Sequence, residues 1–196
     1  MKTEEISRDI YSPDEKRYGE NMTKKEKIAW AEYLNDRFMP EILMILGFPN
    51  DAEADSVEGT SRDWDSLYDY EIEGTRVQLK GNWGSRSKGV WGTFTLSPGH
   101  FKDLIILRDQ GQEMPEWHVE YGWHPQSDAL IAIARIRVLD LLDWFEKELP
   151  RADIGGAWCV NWSDAAKEFE VVRSHIRTDV IVENQKTWNW SSSSAT

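Results

Sequence analysis

Tyr68-Asp69-Tyr70-Glu71-Ile72-Glu73-Gly74-Thr75-Arg76-Val77-Gln78-Leu79-Lys80 alternates polar and apolar residues on both sides of a Gly-containing turn. Such a pattern predicts a two-stranded hairpin with one buried face. With Glu73-Gly74 as a two-residue loop, Ile72 pairs with Thr75, Glu71 with Arg76, Tyr70 with Val77 and Asp69 with Gln78. Directly opposed residues share a face. Tyr70, Ile72, Val77 and Leu79 form the apolar side; Asp69, Glu71, Arg76, Gln78 and Lys80 form the polar side. A carboxylate, an amide oxygen and an ammonium therefore meet on one rigid surface, which suits a divalent metal held beside a phosphate. The same residues also read as an ordinary solvent-facing hairpin surface, with Glu71 and Arg76 as a cross-strand ion pair.

Outward from the hairpin, Ser12-Pro13-Asp14-Glu15 combines a capping serine, a proline and a glutamate, and predicts a short helix to about Glu20. Thr23-Lys24-Lys25-Glu26 repeats the capping pattern and predicts a helix from Lys24 to about Met39, restarting at Pro40 and running to Leu46. After the hairpin, Gly81 to Gly89 is Gly- and Ser-rich, Val90 to Leu96 alternates as a strand, and Ser97-Pro98-Gly99 reads as a turn. The apolar run Leu104 to Leu107 suggests a buried strand, and Trp117 to Tyr121 another. Asp128 to Glu148 reads as the longest helix, followed by strands at Ala157 to Asn161 and Phe169 to Val172. The expected fold is α/β, a central mixed sheet flanked by helices.

At 196 residues with 40% hydrophobic content and eleven Trp, the chain suits one folded domain over residues 1–190, with 191–196 a disordered tail. A single cysteine, Cys159, excludes an internal disulfide. With no apolar leader after Met1, this gives the expectation of a soluble cytoplasmic protein. Cys159, between Trp158 and Val160, reads as a packing residue. His100, His118, His124 and His175 show no tight metal-ligand spacing, and His118 and His124 read as structural.

The net charge of −12 counts against a whole-surface nucleic-acid binder. Yet Arg76, Lys80, Arg86, Lys88 and Lys102 fall in a stretch free of Asp and Glu; these five charges leave −17 for the rest of the chain. Such a basic island can orient a polyanion onto one face. Trp83 and Trp91 flank it and could stack on bases, although tryptophans there more often pack a sheet edge. Asn82 and Ser85 to Ser87 could reach phosphate oxygens.

Magnesium needs one or two carboxylates and keeps several waters. Asp69, the Gln78 amide oxygen and the backbone carbonyl of Leu79 could hold it, and Lys80 could stabilise charge on a phosphodiester under in-line attack. Asp69 followed by Gln78-Leu79-Lys80 and the apolar run Leu104 to Leu107 resembles the PD-(D/E)XK nuclease superfamily, in its Gln-X-Lys variant, over Lys24 to Arg108. The resemblance implies a restriction-endonuclease-like fold. It also implies a DNA endonuclease dependent on Mg2+, with Mn2+ as a substitute, acting as a homodimer. Asp69, Gln78 and a helical glutamate, best matched by Glu32, would hold the metal with Leu79, and Lys80 would serve catalysis. Arg76, Asn82, Trp83, Arg86 and Lys88 would engage DNA. Two departures stand out: Gln78 replaces the usual acid, and Tyr68 the usual proline. Asp65 is an alternative first acid. The competing reading is a non-catalytic acidic interaction or immunity protein, or a nuclease-like fold that has lost activity.

Overall fold

The computed structural model describes residues 23–57, 67–83, 92–124, 129–148 and 158–176. The predicted helix at Ser12, Asp65, the loop bearing Ser85 to Lys88, Trp91 and the tail lie outside the described residues. So do the side chains of Asn82, Trp83, His124 and His175.

The hairpin forms in the expected register: β2 (Tyr70–Ile72) pairs antiparallel with β3 (Thr75–Trp83), Tyr70 opposite Val77, Glu71 opposite Arg76 and Ile72 opposite Thr75. Glu73 and Gly74 both take positive φ, 48° and 81°, the backbone that a tight hairpin turn twisting with its strands demands. The hairpin belongs to a six-stranded mixed sheet of order β1-β2-β3-β5-β6-β8. Its other strands are β1 (Ala54–Ser56), β5 (Trp117–His124), β6 (Ala129–Arg137) and β8 (Val172–His175). Among the described strands only β3 and β5 pair in parallel. The chain makes that crossover through β4 (Thr93–Leu96) and a helix, and β4 pairs with β7 (Trp158–Asn161) as a separate ribbon.

Each face of the sheet is covered differently. Helices α1 (Lys24–Arg37) and α2 (Met39–Leu46) break at the predicted place, with Pro40 in the first turn of α2. Leu34, Phe38, Ile42 and Leu46 bury against Tyr70, Val77, Val119 and Tyr121. Arg135 reaches across from β6 to the Leu46 carbonyl (2.8 Å), satisfying the end of α2, and stacks on Trp117 at 4.3 Å. On the opposite face lie β4, β7, α3 (Pro98–Asp109), α4 (Val138–Glu148) and the short α5 (Trp162–Ala165). Phe94, Leu104, Ile136, Leu142, Phe145 and Trp162 form that second core. Arg108 joins α3 to α4 through a two-pronged pair with Glu146, 2.7 and 3.1 Å.

Three elements differ from the sequence reading. Leu104 to Leu107 lies in helix α3, with only Leu104 fully buried. Ser97 is its N-cap, accepting from the His100 amide at 3.2 Å, and Pro98 opens its first turn. The segment expected as one helix from Asp128 divides into β6 and α4. Leu130 to Ala134 are buried on both sides, as a central strand requires, so the apolar spacing carries no helical stripe there. The last strand begins at Val172, three residues later than expected. Among the described residues no helix is long and apolar enough to cross a membrane.

Tyr121 stands beside Gly81 across the β3–β5 pair and donates to Asn35 of α1 at 2.6 Å. A Cβ on Gly81 would meet that ring at 2.8 Å, closer than carbon contacts allow. Gly81→Ala should therefore cost about 1–3 kcal/mol by overpacking, seen as a lower urea midpoint. An unchanged midpoint would mean that Tyr121 is free to move.

Candidate functional site

Side-chain alternation places Gln78 and Lys80 of β3 on the same face as His118 and Glu120 of β5, since Gln78 lies opposite His118 and Lys80 opposite Glu120. That face does not look onto solvent at its centre. Strand β4 and the first turn of α3 cover it, and Gln78 is 8% exposed while His118 and Glu120 are fully buried. Buried polar groups must find partners, and these find one another in a continuous chain. His100 Nδ1 meets Gln78 Nε2 at 3.1 Å, and Gln78 Oε1 meets His118 Nδ1 at 3.0 Å. His118 Nε2 meets Glu120 Oε1 at 3.0 Å. The same carboxylate oxygen accepts from the Thr95 hydroxyl at 2.6 Å and from the Thr95 amide. Lys80 Nζ donates to the Thr95 carbonyl at 3.3 Å, closing the chain.

Asp69 enters from the edge of β3. It lies just before β2, where its amide still donates to the Val77 carbonyl (2.9 Å), and its Oδ2 accepts from the Leu79 amide at 2.7 Å. The carboxylate thus takes over the ladder bond that a further residue of strand would have made, and it sits beside the Gln78-Leu79-Lys80 triplet. The Leu79 backbone meets Asp69 through its amide. Asp69 as a residue is only half-buried, yet its carboxyl is enclosed, and desolvation pushes its pKa above the ordinary carboxylate value. The Leu79 hydrogen bond, His118 and Lys80 pull the other way without cancelling that effect.

His100 shows the opposite response. Burial, with His118 and Lys80 nearby, lowers its pKa to about 4, so the ring stays neutral at physiological pH. Its Nε2 is buried without a well-formed hydrogen bond.

Other expected residues fall elsewhere. Glu32 is exposed on α1 and does not lie on a core-facing stripe, so nothing requires it to find a buried partner. The polar residues through which α1 meets the sheet are Asn35 and Asp36; Asp36 accepts from Tyr70 Oη at 2.8 Å. Arg76 forms the expected cross-strand pair with Glu71 (3.9 Å), pairs more closely with Glu113 and covers the Tyr68 ring at 5.5 Å. Its charge is thereby engaged within the protein. His100, His118 and Glu120 were absent from the sequence-derived site. The signal that could have found them is the alternation His118-Val119-Glu120-Tyr121, which puts two ionisable groups on one side of an otherwise apolar strand.

The donors fit a hard cation in kind. A carboxylate and an amide oxygen are ligands of the type magnesium takes. Among the described residues no group of three or more His, Cys, Asp or Glu is arranged as a ready cage. A hydrated ion held by one or two side chains is the kind this donor set suits.

The His100 shift fixes a pH dependence. The ring binds a proton more readily in the unfolded chain, at its ordinary 6.5, than in the folded protein at about 4. Its contribution is fully present above pH 6.5 and is lost as pH falls toward 4, amounting to at most about 3 kcal/mol. Asp69, raised on folding, acts with the opposite sign. Urea midpoints across this range should fall more steeply for the wild type than for His100→Gln; parallel curves would contradict the burial of the ring. The chain matches no protein-family model, and no curated protein matches it.

Proposed function

We propose that the protein is a metal-dependent DNA endonuclease with a restriction-endonuclease-like core, acting as a homodimer. The observation that supports this reading most is the bond between Asp69 and the Leu79 amide, which sets an enclosed carboxylate against the Gln78-Leu79-Lys80 triplet. Asp69 and the Gln78 oxygen would hold Mg2+, or Mn2+ in its place, with the Leu79 carbonyl as a further oxygen. When bound, the cation supplies neutralising charge at the phosphoryl oxygens and acidifies water at the site. Lys80, tethered to Thr95, brings a second positive charge to the oxygens that gain charge during attack. Arg86 and Lys88, with Asn82 and Trp83, would meet the DNA backbone within the acid-free stretch. Arg76 has a smaller part here, being paired with Glu113 and Glu71. Glu32, exposed on α1, remains a ligand only if it acts from the rim of the site.

One observation favours the competing reading of a nuclease-like fold without activity, or an acidic binding protein. Both ends of the Gln78 amide are engaged by histidines.

Plasmid nicking with and without Mg2+ separates the two. Asp69→Asn keeps an oxygen for the Leu79 amide while removing an under-compensated charge, so its urea midpoint should match or exceed that of the wild type. Its cleavage rate, and that of Lys80→Met, should fall at least about a hundredfold. A wild type that cuts neither DNA nor RNA with any of several divalent metals would overturn the nuclease.

A further inference from the structure

Thr95 lies opposite Cys159 in the β4–β7 ribbon, but its backbone is bonded on the other side. Its amide donates to Glu120 Oε1, and its carbonyl accepts from Lys80 Nζ at 3.3 Å. In a strand the amide and carbonyl of one residue leave on the same side. At Thr95 the edge of β4 away from β7 therefore faces the central sheet. Thr95 is buried, and buried backbone groups must be paired. The partners here are two side chains where a sheet would have supplied a strand. Lys80 and Glu120 stand opposite each other in the parallel β3–β5 pair. The carboxylate takes the place of a neighbouring strand's carbonyl, and the amine takes that of its amide. The Thr95 hydroxyl adds a second bond to the same carboxylate oxygen, 2.6 Å. Two bonds from one residue to one oxygen limit both the distance and the tilt of β4. They fix where the Thr95 carbonyl meets Lys80.

We propose that Thr95 is a positioning residue for Lys80, a step that rests on the nuclease reading and deepens it. Lysine carries its donors on a long flexible stem, so its charge serves an attacked phosphodiester only where something holds it in place. The Thr95 carbonyl holds one donor of half-buried Lys80 and leaves the rest of the group for phosphate oxygens. A misplacement of about 1 Å can cost about a hundredfold in rate, and loosening the tether with the charge still present should cost less, about tenfold.

Thr95→Val keeps the shape of the side chain and removes the hydroxyl, whereas Thr95→Ser keeps the hydroxyl. Single-turnover plasmid cleavage with Mg2+ on the full chain should fall about tenfold in Thr95→Val and recover to within about threefold of the wild type in Thr95→Ser. In a Lys80→Met background, adding Thr95→Val should cost less than about twofold more, because the group it positions is gone. A Thr95 that serves structure alone predicts the same factor in both backgrounds, and that result overturns the proposal. NMR relaxation of the lysine Cε groups reads the tether without activity. Lys80 should be more ordered than exposed Lys102, and should loosen toward it in Thr95→Val. If Thr95→Val does not fold, or Lys80→Met cuts too slowly to time, the wild-type comparison decides; a Lys80 as mobile as Lys102 overturns the proposal. Wild type that cuts no nucleic acid with any of several divalent metals sinks the nuclease reading and this inference together. Wild type that cuts, with the rate unchanged in Thr95→Val, sinks the inference alone.

Discussion

Glu120 is a carboxylate with no exposure at all, in the middle of the central sheet, and the arrangement around it follows from that burial. An unpaired charge there would cost several kcal/mol. Its partners include Thr95 on β4 and His118 on its own strand. Satisfying Glu120 therefore fastens the β4–β7 ribbon over the β3–β5 pair. The close edge-to-face approach of Phe94 to His118, ring centroids 6.0 Å apart, seals the same junction with apolar surface. Removing one partner of such a network leaves the others buried and unsatisfied, so its members should act as a unit.

The hairpin was legible because its pattern is local. Two residues of turn with positive φ, bracketed by strict alternation, leave one register that buries Tyr70, Ile72, Val77 and Leu79 together. The α1–α2 break was legible for a similar reason, since Pro40 imposes it locally. Helix α3 was misread although Ser97-Pro98 offered a capping serine followed by proline; the run Leu104 to Leu107 outweighed it. In β6, Ala132 and Ala134 alternate with isoleucines, and alanine suits helix and strand alike, so only the sheet on either side decides. The junction at Arg137–Val138 carries neither proline nor glycine to announce a change of period.

The site divides in the same way. Asp69, Gln78 and Lys80 lie within one hairpin, where spacing alone implies their neighbourhood. His118 and Glu120 join them through a parallel crossover of some forty residues, as the Gln78–His118 pairing shows. No spacing rule reaches across that distance. Glu32 was chosen for sharing a face with Ile28, yet it is exposed, and polar contacts from α1 to the sheet come one turn further on, at Asn35 and Asp36.

Charge gives the last step of the synthesis. Asp69 is enclosed enough that burial outweighs the Leu79 amide, His118 and Lys80 together. Its anionic form is therefore less well supported inside the protein than in water. Glu120, in the middle of the sheet, accepts at one oxygen from the Thr95 amide and hydroxyl, and the same oxygen meets His118 Nε2. The two enclosed carboxyl groups thus differ in the donors around them. The oxygen with more donors ties β4 to the central sheet, and the other is held on the edge of β3 by a single backbone amide.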